Sequence, residues 1–290
     1  MGSSKSGDSA RIDAGGHVIW SRAIGGVETC HQVPGFDVNF DIGRCPDGAV
    51  DQRFLLLTHG HIDHAAGLPY YVSLRSLYGR PPPLIACPAG SEPHLRRVLE
   101  AWEPLQTDTD RCELRGVRPG DRVELGKGRF AVAVPAYHRI EAVGWVVCQR
   151  AKKLRAAWVG RTDAEIRDAA RRGVEVSEVV DRPEVGFTGD TTIETLDDAL
   201  IRTCRVLLLE CTFFGNRVRR RGAKRGGHVH LDALAERATE LENENIILVH
   251  LSQRHHPDLV LSEARSKLPE EMWSKFRVLM TDGRVTPLVS

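Results

Sequence analysis

The chain has 290 residues, 41% of them hydrophobic and 27% charged, with a formal net charge of +1. That composition supports a sizeable core and argues against wholesale disorder, while the near-zero balance excludes the strongly basic character of a non-specific nucleic-acid binder. No window approaches the run of about 18 apolar residues that a membrane span needs, and Met1 to Trp20 has no apolar signal core, so no membrane partner is expected.

Residues 1–16, rich in Ser and Gly, read as a flexible lead-in, and residues 17–290 as one domain. Apolar runs of strand length follow at residues 38–40, 54–57, 84–86, 130–134, 143–147, 206–209 and 246–251, bounded by Gly, Pro and Asp. Helical patterns occupy residues 68–78, 92–102, 163–172, 196–201, 231–241 and 258–267. Strands clustered in each half with helices between them predict an α/β fold of two sheets back to back with helices outside, an αββα four-layer sandwich. Seven cysteines, an odd number without CxxC spacing, read as reduced thiols and a cytoplasmic setting.

The densest chemistry follows the run Phe54-Leu55-Leu56-Leu57, where Thr58-His59-Gly60-His61-Ile62-Asp63-His64 gathers three imidazoles and a carboxylate. Those are donors zinc prefers, and a tight turn containing Gly60 can aim them into one space. The spacing suits two metals, with His59 and His61 at one centre and Asp63 and His64 at the other. Further ligands should come from strand ends, where His138, Asp190 and His250 stand. An Asp between two ions can bridge them. Two basic runs, Arg150 to Arg155 with Lys152 and Lys153, and Arg217 to Arg225 with Arg219, Arg220, Arg221 and Lys224, lie close in sequence to these residues. Such runs are often plain solvated surface.

Beyond this cluster, Ala23 to Cys30, Asp41 to Cys45, Val185 to Thr191, Glu210-Cys211-Thr212-Phe213, Gly227-His228-Val229-His230 and His250-Leu251-Ser252-Gln253-Arg254-His255 appear in order. Together these segments resemble the short form of ribonuclease Z (tRNase Z), a branch of the metallo-β-lactamase superfamily. The resemblance implies His59, His61 and His138 on one zinc, and Asp63, His64 and His250 on the other, with Asp190 bridging. It further implies Asp63 as a general base, and Glu210 and His228 as the pair that protonates the leaving oxygen, with His230 a rival for His228. Ser252 and Arg254 would hold phosphate. The expected substrate is precursor tRNA, and the expected assembly a homodimer. Lys152 to Glu178 sits where a reduced tRNA-gripping arm would be; His255 and Cys211 depart from the family's usual Tyr and Ala or Ser.

Three readings follow. The leading one is a zinc-dependent endoribonuclease that removes the 3′ trailer from precursor tRNA. The second is a hydrolase of small phosphodiesters or sulfate esters on the same site. The third is an RNA-binding protein whose metal site is only structural.

Overall fold

A computed structural model describes residues 9–106 and 111–289. The first strands are β1 (Ala10–Ala14), β2 (His17–Gly25), β3 (Glu28–Val33), β4 (Val38–Phe40), β5 (Phe54–Leu56), β6 (Leu84–Pro88) and β7 (Glu113–Val117). They pair in sequence order, antiparallel as far as β4 and parallel from there to β7. The others are β8 (Arg122–Gly126), β9 (Arg129–Pro135), β10 (Val143–Leu154), β11 (Ser177–Phe187), β12 (Val206–Glu210), β13 (Asn245–Val249), β14 (Leu251–Ser252), β15 (Phe276–Leu279) and β16 (Val285–Pro287). β14 joins the first sheet beside β2, and the rest form a second sheet in the order β16-β15-β13-β12-β11-β10-β9-β8.

Alternation of side chains along the strands gives each sheet two buried faces. One core lies between the sheets and draws Ile19, Phe40 and Leu56 from the first, and Trp145, Phe187, Leu208 and Val249 from the second. The outer face of the first sheet is covered by α2 (Leu68–Leu77), which follows the four-residue α1 (Ile62–Ala65), and by α3 (Glu92–Trp102). In α2 the residues Leu68, Tyr71, Val72 and Arg75 are buried, an i, i+3, i+4, i+7 stripe. The remaining helices are α4 (Asp163–Arg171), α5 (Ala199–Thr203), α6 (Arg220–Gly226), α7 (Leu231–Ala235) and α8 (Pro257–Lys267). Residues of α5, α7 and α8 cover the second sheet through Ile201, Leu234, Val260 and Ala264. The layers therefore run helix, sheet, sheet, helix, as expected from the sequence.

One expectation is corrected, and one segment gains a shape. The lead-in assigned to residues 1–16 already contains β1, because Ala10, Ile12 and Ala14 alternate inward and pair with Ser21, Ile19 and His17; residues 1–8 lie outside the described residues. The basic stretch Lys152 to Glu178 is built on β10 and β11, which extend past β9 and β12 as a two-stranded ribbon with α4 at its tip. Thr162 and Glu165 close a reciprocal capping box at the start of α4, which anchors a helix that buries Ala169 alone.

Trp145 ties the sheets together near one edge. It is fully buried, and its indole N–H donates to the carbonyl of Leu57 at the end of β5, 3.0 Å away. Trp145→Phe keeps an aromatic ring but leaves that carbonyl unpaired, so it should lower stability by about 1–3 kcal/mol. Trp145→Ala should cost about 3–5 kcal/mol. Urea titration checks both, the midpoint falling while the slope stays constant.

Candidate metal centre

Every donor group follows the C-terminal end of a strand. Asp41 follows β4, the cluster from His59 to His64 follows β5, His138 follows β9, Asp190 follows β11, and His250 follows β13, while Glu210 ends β12. Most of these strands are parallel neighbours, so their carboxyl ends share one edge of the sandwich, the place where open α/β sheets collect ligand-binding residues. Gly189 lets the β11 turn reach that edge: its φ is +60°, and a Cβ there would lie 2.7 Å from Cβ of Thr58.

The donors form two groups. Nδ1 of His61 lies 3.0 Å from Nε2 of His59 and 3.2 Å from Nε2 of His138. Nε2 of His64 lies 3.3 Å from Nε2 of His250 and 3.6 Å from Oδ2 of Asp63. Asp190 stands between the groups, with Oδ2 3.8 Å from Nε2 of His59 and Oδ1 3.5 Å from Nε2 of His64. All seven residues that the sequence nominated as ligands are thus brought together.

Outer partners aim the rings. His64 donates from Nδ1 to Asp41 at 2.6 Å, and His138 from Nδ1 to the carbonyl of Gly227 at 2.8 Å. Thr58 donates its hydroxyl to Asp41 and accepts from Nδ1 of His59; Thr212 donates its hydroxyl to Glu210 and accepts from Nδ1 of His250. With each Nδ1 proton committed outward, the Nε2 atoms of His59, His138 and His250 present bare lone pairs to the interior. Buried Oδ1 of Asp190 has no hydrogen-bond partner. That arrangement fits cations and is poor without them. Burial holds His59 and His138 below the ordinary imidazole range, in the neutral form that ligates. At His64 burial acts in the same direction, but the Asp190 and Asp41 carboxylates outweigh it and hold the ring well above that range. The pocket therefore draws positive charge.

Beside the donors lies an acid–base pair. Glu210 is fully buried, and accepts from the backbone N–H of Thr212 at 2.8 Å and of Val229 at 3.0 Å. Its Oε1 sits 2.8 Å from Nδ1 of His228. Burial lowers the pKa of His228, but the Glu210 carboxylate more than reverses this and raises it to about 9. His230 has both nitrogens engaged, one with the carbonyl of Gly215 and the other capping α7. Only His228 of the two rivals lines the open cleft of about 590 Å³ that also holds Asp63, Phe213, Ser252 and Arg254.

The other nominated residues are placed less centrally. Lys152 and Lys153 stand in the ribbon, on the order of 25 Å along β10 from the site edge at a strand rise of about 3.3 Å per residue, and line no part of the cleft. The run Arg217 to Arg225 is partly helical as α6, with Arg220 paired to Glu236 and Lys224 to Glu194, while Arg219 precedes the helix without a side-chain cap and Arg221 is exposed. The sequence reading did not assign Asp41, Thr58, Thr212 or Gly227 to the site. Their signal was weak, because each acts through a neighbour and not on the centre itself.

Comparison with known proteins adds the family. Residues 43–251 match the β-lactamase superfamily domain. The chain is 36% identical over 245 residues to tRNase Z TRZ1 of Arabidopsis thaliana, covering 83% of this chain and 87% of that protein. The metallo-β-lactamase fold protein YhfI of Bacillus subtilis superposes with a TM-score of 0.60 at 15% identity, over 91% of this chain and 96% of that one. Human tRNase Z, short form, superposes with a TM-score of 0.51 at 18% identity, over 86% and 91%.

Asp41→Asn keeps the shape of the partner to His64 but removes its charge, and divalent-metal affinity should fall by about 10- to 100-fold. A chelator-competition titration measures this. Unchanged affinity would show that Asp41 does not support the ligand.

Proposed function

The chain belongs to the ribonuclease Z (tRNase Z) family of the β-lactamase superfamily, and on that premise we propose that it is a zinc-dependent endoribonuclease that cuts the 3′ trailer from precursor tRNA and leaves a 3′-hydroxyl on the tRNA. The observation that carries this reading is the Glu210–His228 pair set beside two groups of metal donors. His59, His61 and His138 would hold one zinc and Asp63, His64 and His250 the other, with Asp190 shared. Bound there, the ions would supply positive charge to the phosphoryl group and a more acidic water.

The protein's own residues do the rest. Asp63, whose pKa burial would raise, is held well below the usual carboxylate range by the neighbouring His250 and His64 rings, so it stays ionised and can accept a proton from the attacking water. Its position is fixed by the N–H of Gly26, 2.9 Å from Oδ2. His228 is protonated at neutral pH, and its Nε2 proton is free to pass to the departing 3′-oxygen, while Glu210 fixes the ring and stabilises its charge. Ser252 and Arg254 on the cleft wall offer a hydroxyl and a guanidinium fork to phosphate. Arg219, Arg221 and the ribbon lysines Lys152 and Lys153 would meet RNA farther from the cut.

No helix among the described residues is long and apolar enough to cross a membrane. Homodimer formation is part of the proposal, supported by exposed Leu77, Tyr78, Trp102 and Leu105 on and after the helices over the first sheet. A cytoplasmic setting is supported by seven free thiols.

The direct test incubates the metal-loaded protein with labelled precursor tRNA and maps the cleavage position and end groups. His228→Ala should slow this cleavage by about 10²- to 10⁴-fold. It should leave hydrolysis of bis(p-nitrophenyl) phosphate far less affected, because that leaving group needs no proton. Glu210→Gln removes the charge that raises His228, so the alkaline decline in precursor cleavage, set where His228 loses its proton, should move to lower pH. Equal losses on both substrates for His228→Ala would assign the ring to the metal site and not to leaving-group protonation.

A further inference from the structure

A second groove, of about 830 Å³, opens on the far side of His138 and runs past Tyr137, Arg139, Ile140, Lys224, Arg225 and Gly227. Tyr137 and Ile140 leave 46% and 40% of their surface exposed. The backbone beneath them is rigid. The N–H of Tyr137 donates to Oγ1 of Thr191 at 2.8 Å, and its carbonyl accepts from the N–H of Thr192 at 3.1 Å, so the ring is carried on the loop that holds Asp190. On the other wall Gly227 has φ +77°, and a Cβ there would lie 2.5 Å from Nδ1 of His138, so only glycine lets the walls approach this closely. Lys224 is neutralised by Glu194, and the Glu141 carboxylate is held by the N–H of Gly90. Arg139 and Arg225 form no ion pair among the described residues, and both are exposed.

An exposed aromatic on a fixed backbone beside two uncommitted guanidiniums is the equipment with which proteins hold single-stranded nucleic acid, the ring stacking on a base and the cations meeting phosphates. We infer that this groove receives the first nucleotides of the trailer downstream of the cut, with Tyr137 stacking on a base and Arg139 and Arg225 taking backbone phosphates. The inference rests on the proposed phosphodiester cleavage and adds the path of one product. In that reaction water adds to phosphorus as the bond to the 3′-oxygen breaks; the proton from His228 goes to that oxygen, and the phosphate stays on the 5′ end of the trailer. The attacking and departing oxygens lie in line, so the upstream nucleoside departs on the His228 side. The 5′-oxygen, which carries the trailer, is lateral to that line, so the trailer leaves to one side of the metal donors. Tyr137 adjoins His138, one of those donors, in the neighbouring groove.

The test measures binding of fluorescent, 5′-phosphorylated RNA of one, three and six nucleotides to the metal-loaded protein, in parallel with cleavage of precursors bearing trailers of the same lengths. In the wild-type protein, affinity should rise from one nucleotide to three. Tyr137→Leu should abolish most of that rise, with roughly ten-fold weaker binding of the three-nucleotide RNA and little change for the single nucleotide. Arg139→Gln with Arg225→Gln should lower the log–log salt slope by about 0.7 for each phosphate that no longer meets a cation.

Equal weakening at all three lengths would mean that Tyr137 merely holds His138, and would overturn the inference. So would binding indifferent to all three substitutions, or an effect that follows the upstream nucleotide and not trailer length. Tyr137-dependent trailer binding by a protein that cuts no precursor tRNA would instead leave the groove standing and remove the proposed tRNA-processing activity.

Discussion

Five imidazole nitrogens and two carboxylates turned into one space at the edge of the sandwich are the constraint on which the rest of the structure depends. Imidazole lone pairs turned inward together and an unpaired buried carboxylate oxygen are costly to bury, so this edge of the sandwich is best stabilised when positive charge fills it. The backbone around it is held away from its own preference as well. Asp41 and His250 both adopt left-handed φ values, 54° and 62°, which the surrounding sheets must impose. Both are buried residues next to parallel strand ends, where the ladder leaves the chain little choice of path.

Two threonines couple this space to its surroundings in the same way. Thr58 links the Asp41 carboxylate to His59, and Thr212 links the Glu210 carboxylate to His250. Each hydroxyl has a single proton. Having given it to the carboxylate, it can only accept from the histidine, and this fixes the tautomer of the ring. The second relay has a further consequence. Glu210 serves both His250, through Thr212, and His228 directly, so the group that orients a candidate ligand also sets the charge of the proposed acid. Ligand geometry and leaving-group protonation are therefore not independent, and substitutions at Glu210 should be read with both in mind.

The residues that carry the chemistry were legible in the sequence because they concentrate unusual side chains in short order. His59 to His64 stand out by density alone, and His138, Asp190 and His250 by their places after apolar strands. The layered architecture followed from the alternation of apolar runs and helical patterns. Less legible were β1 to β3, where polar residues such as Gln32 and His31 are buried by pairing within the sheet and break the apolar signal. The ribbon on β10 and β11 escaped because its strands beyond residue 149 bury little, so no alternation marks them. Asp41, Thr58 and Thr212 were missed for a different reason: their function is a hydrogen bond to a residue far away in sequence or to a ring that any of several groups could orient. The basic run on α6 was visible, but not that two of its cations are spent on Glu194 and Glu236.

The distribution of uncommitted cations bears on the size of the substrate. A small ester in the cleft meets Arg254 and the donors, and does not reach Arg139, Arg221, Arg225, Lys152 or Lys153. For a small-molecule hydrolase these groups would be incidental, and the ribbon would be an extension without a use, stabilised mainly by its own ladder and by exposed ion pairs such as Arg150–Asp181 and Arg155–Glu175, which contribute little. A folded RNA can span the distance of tens of ångströms from cleft to ribbon, and its backbone offers a phosphate wherever a cation stands free. Cations that no short substrate could reach together become one surface when the substrate is a long polyanion, and this favours precursor tRNA over the small-ester alternative.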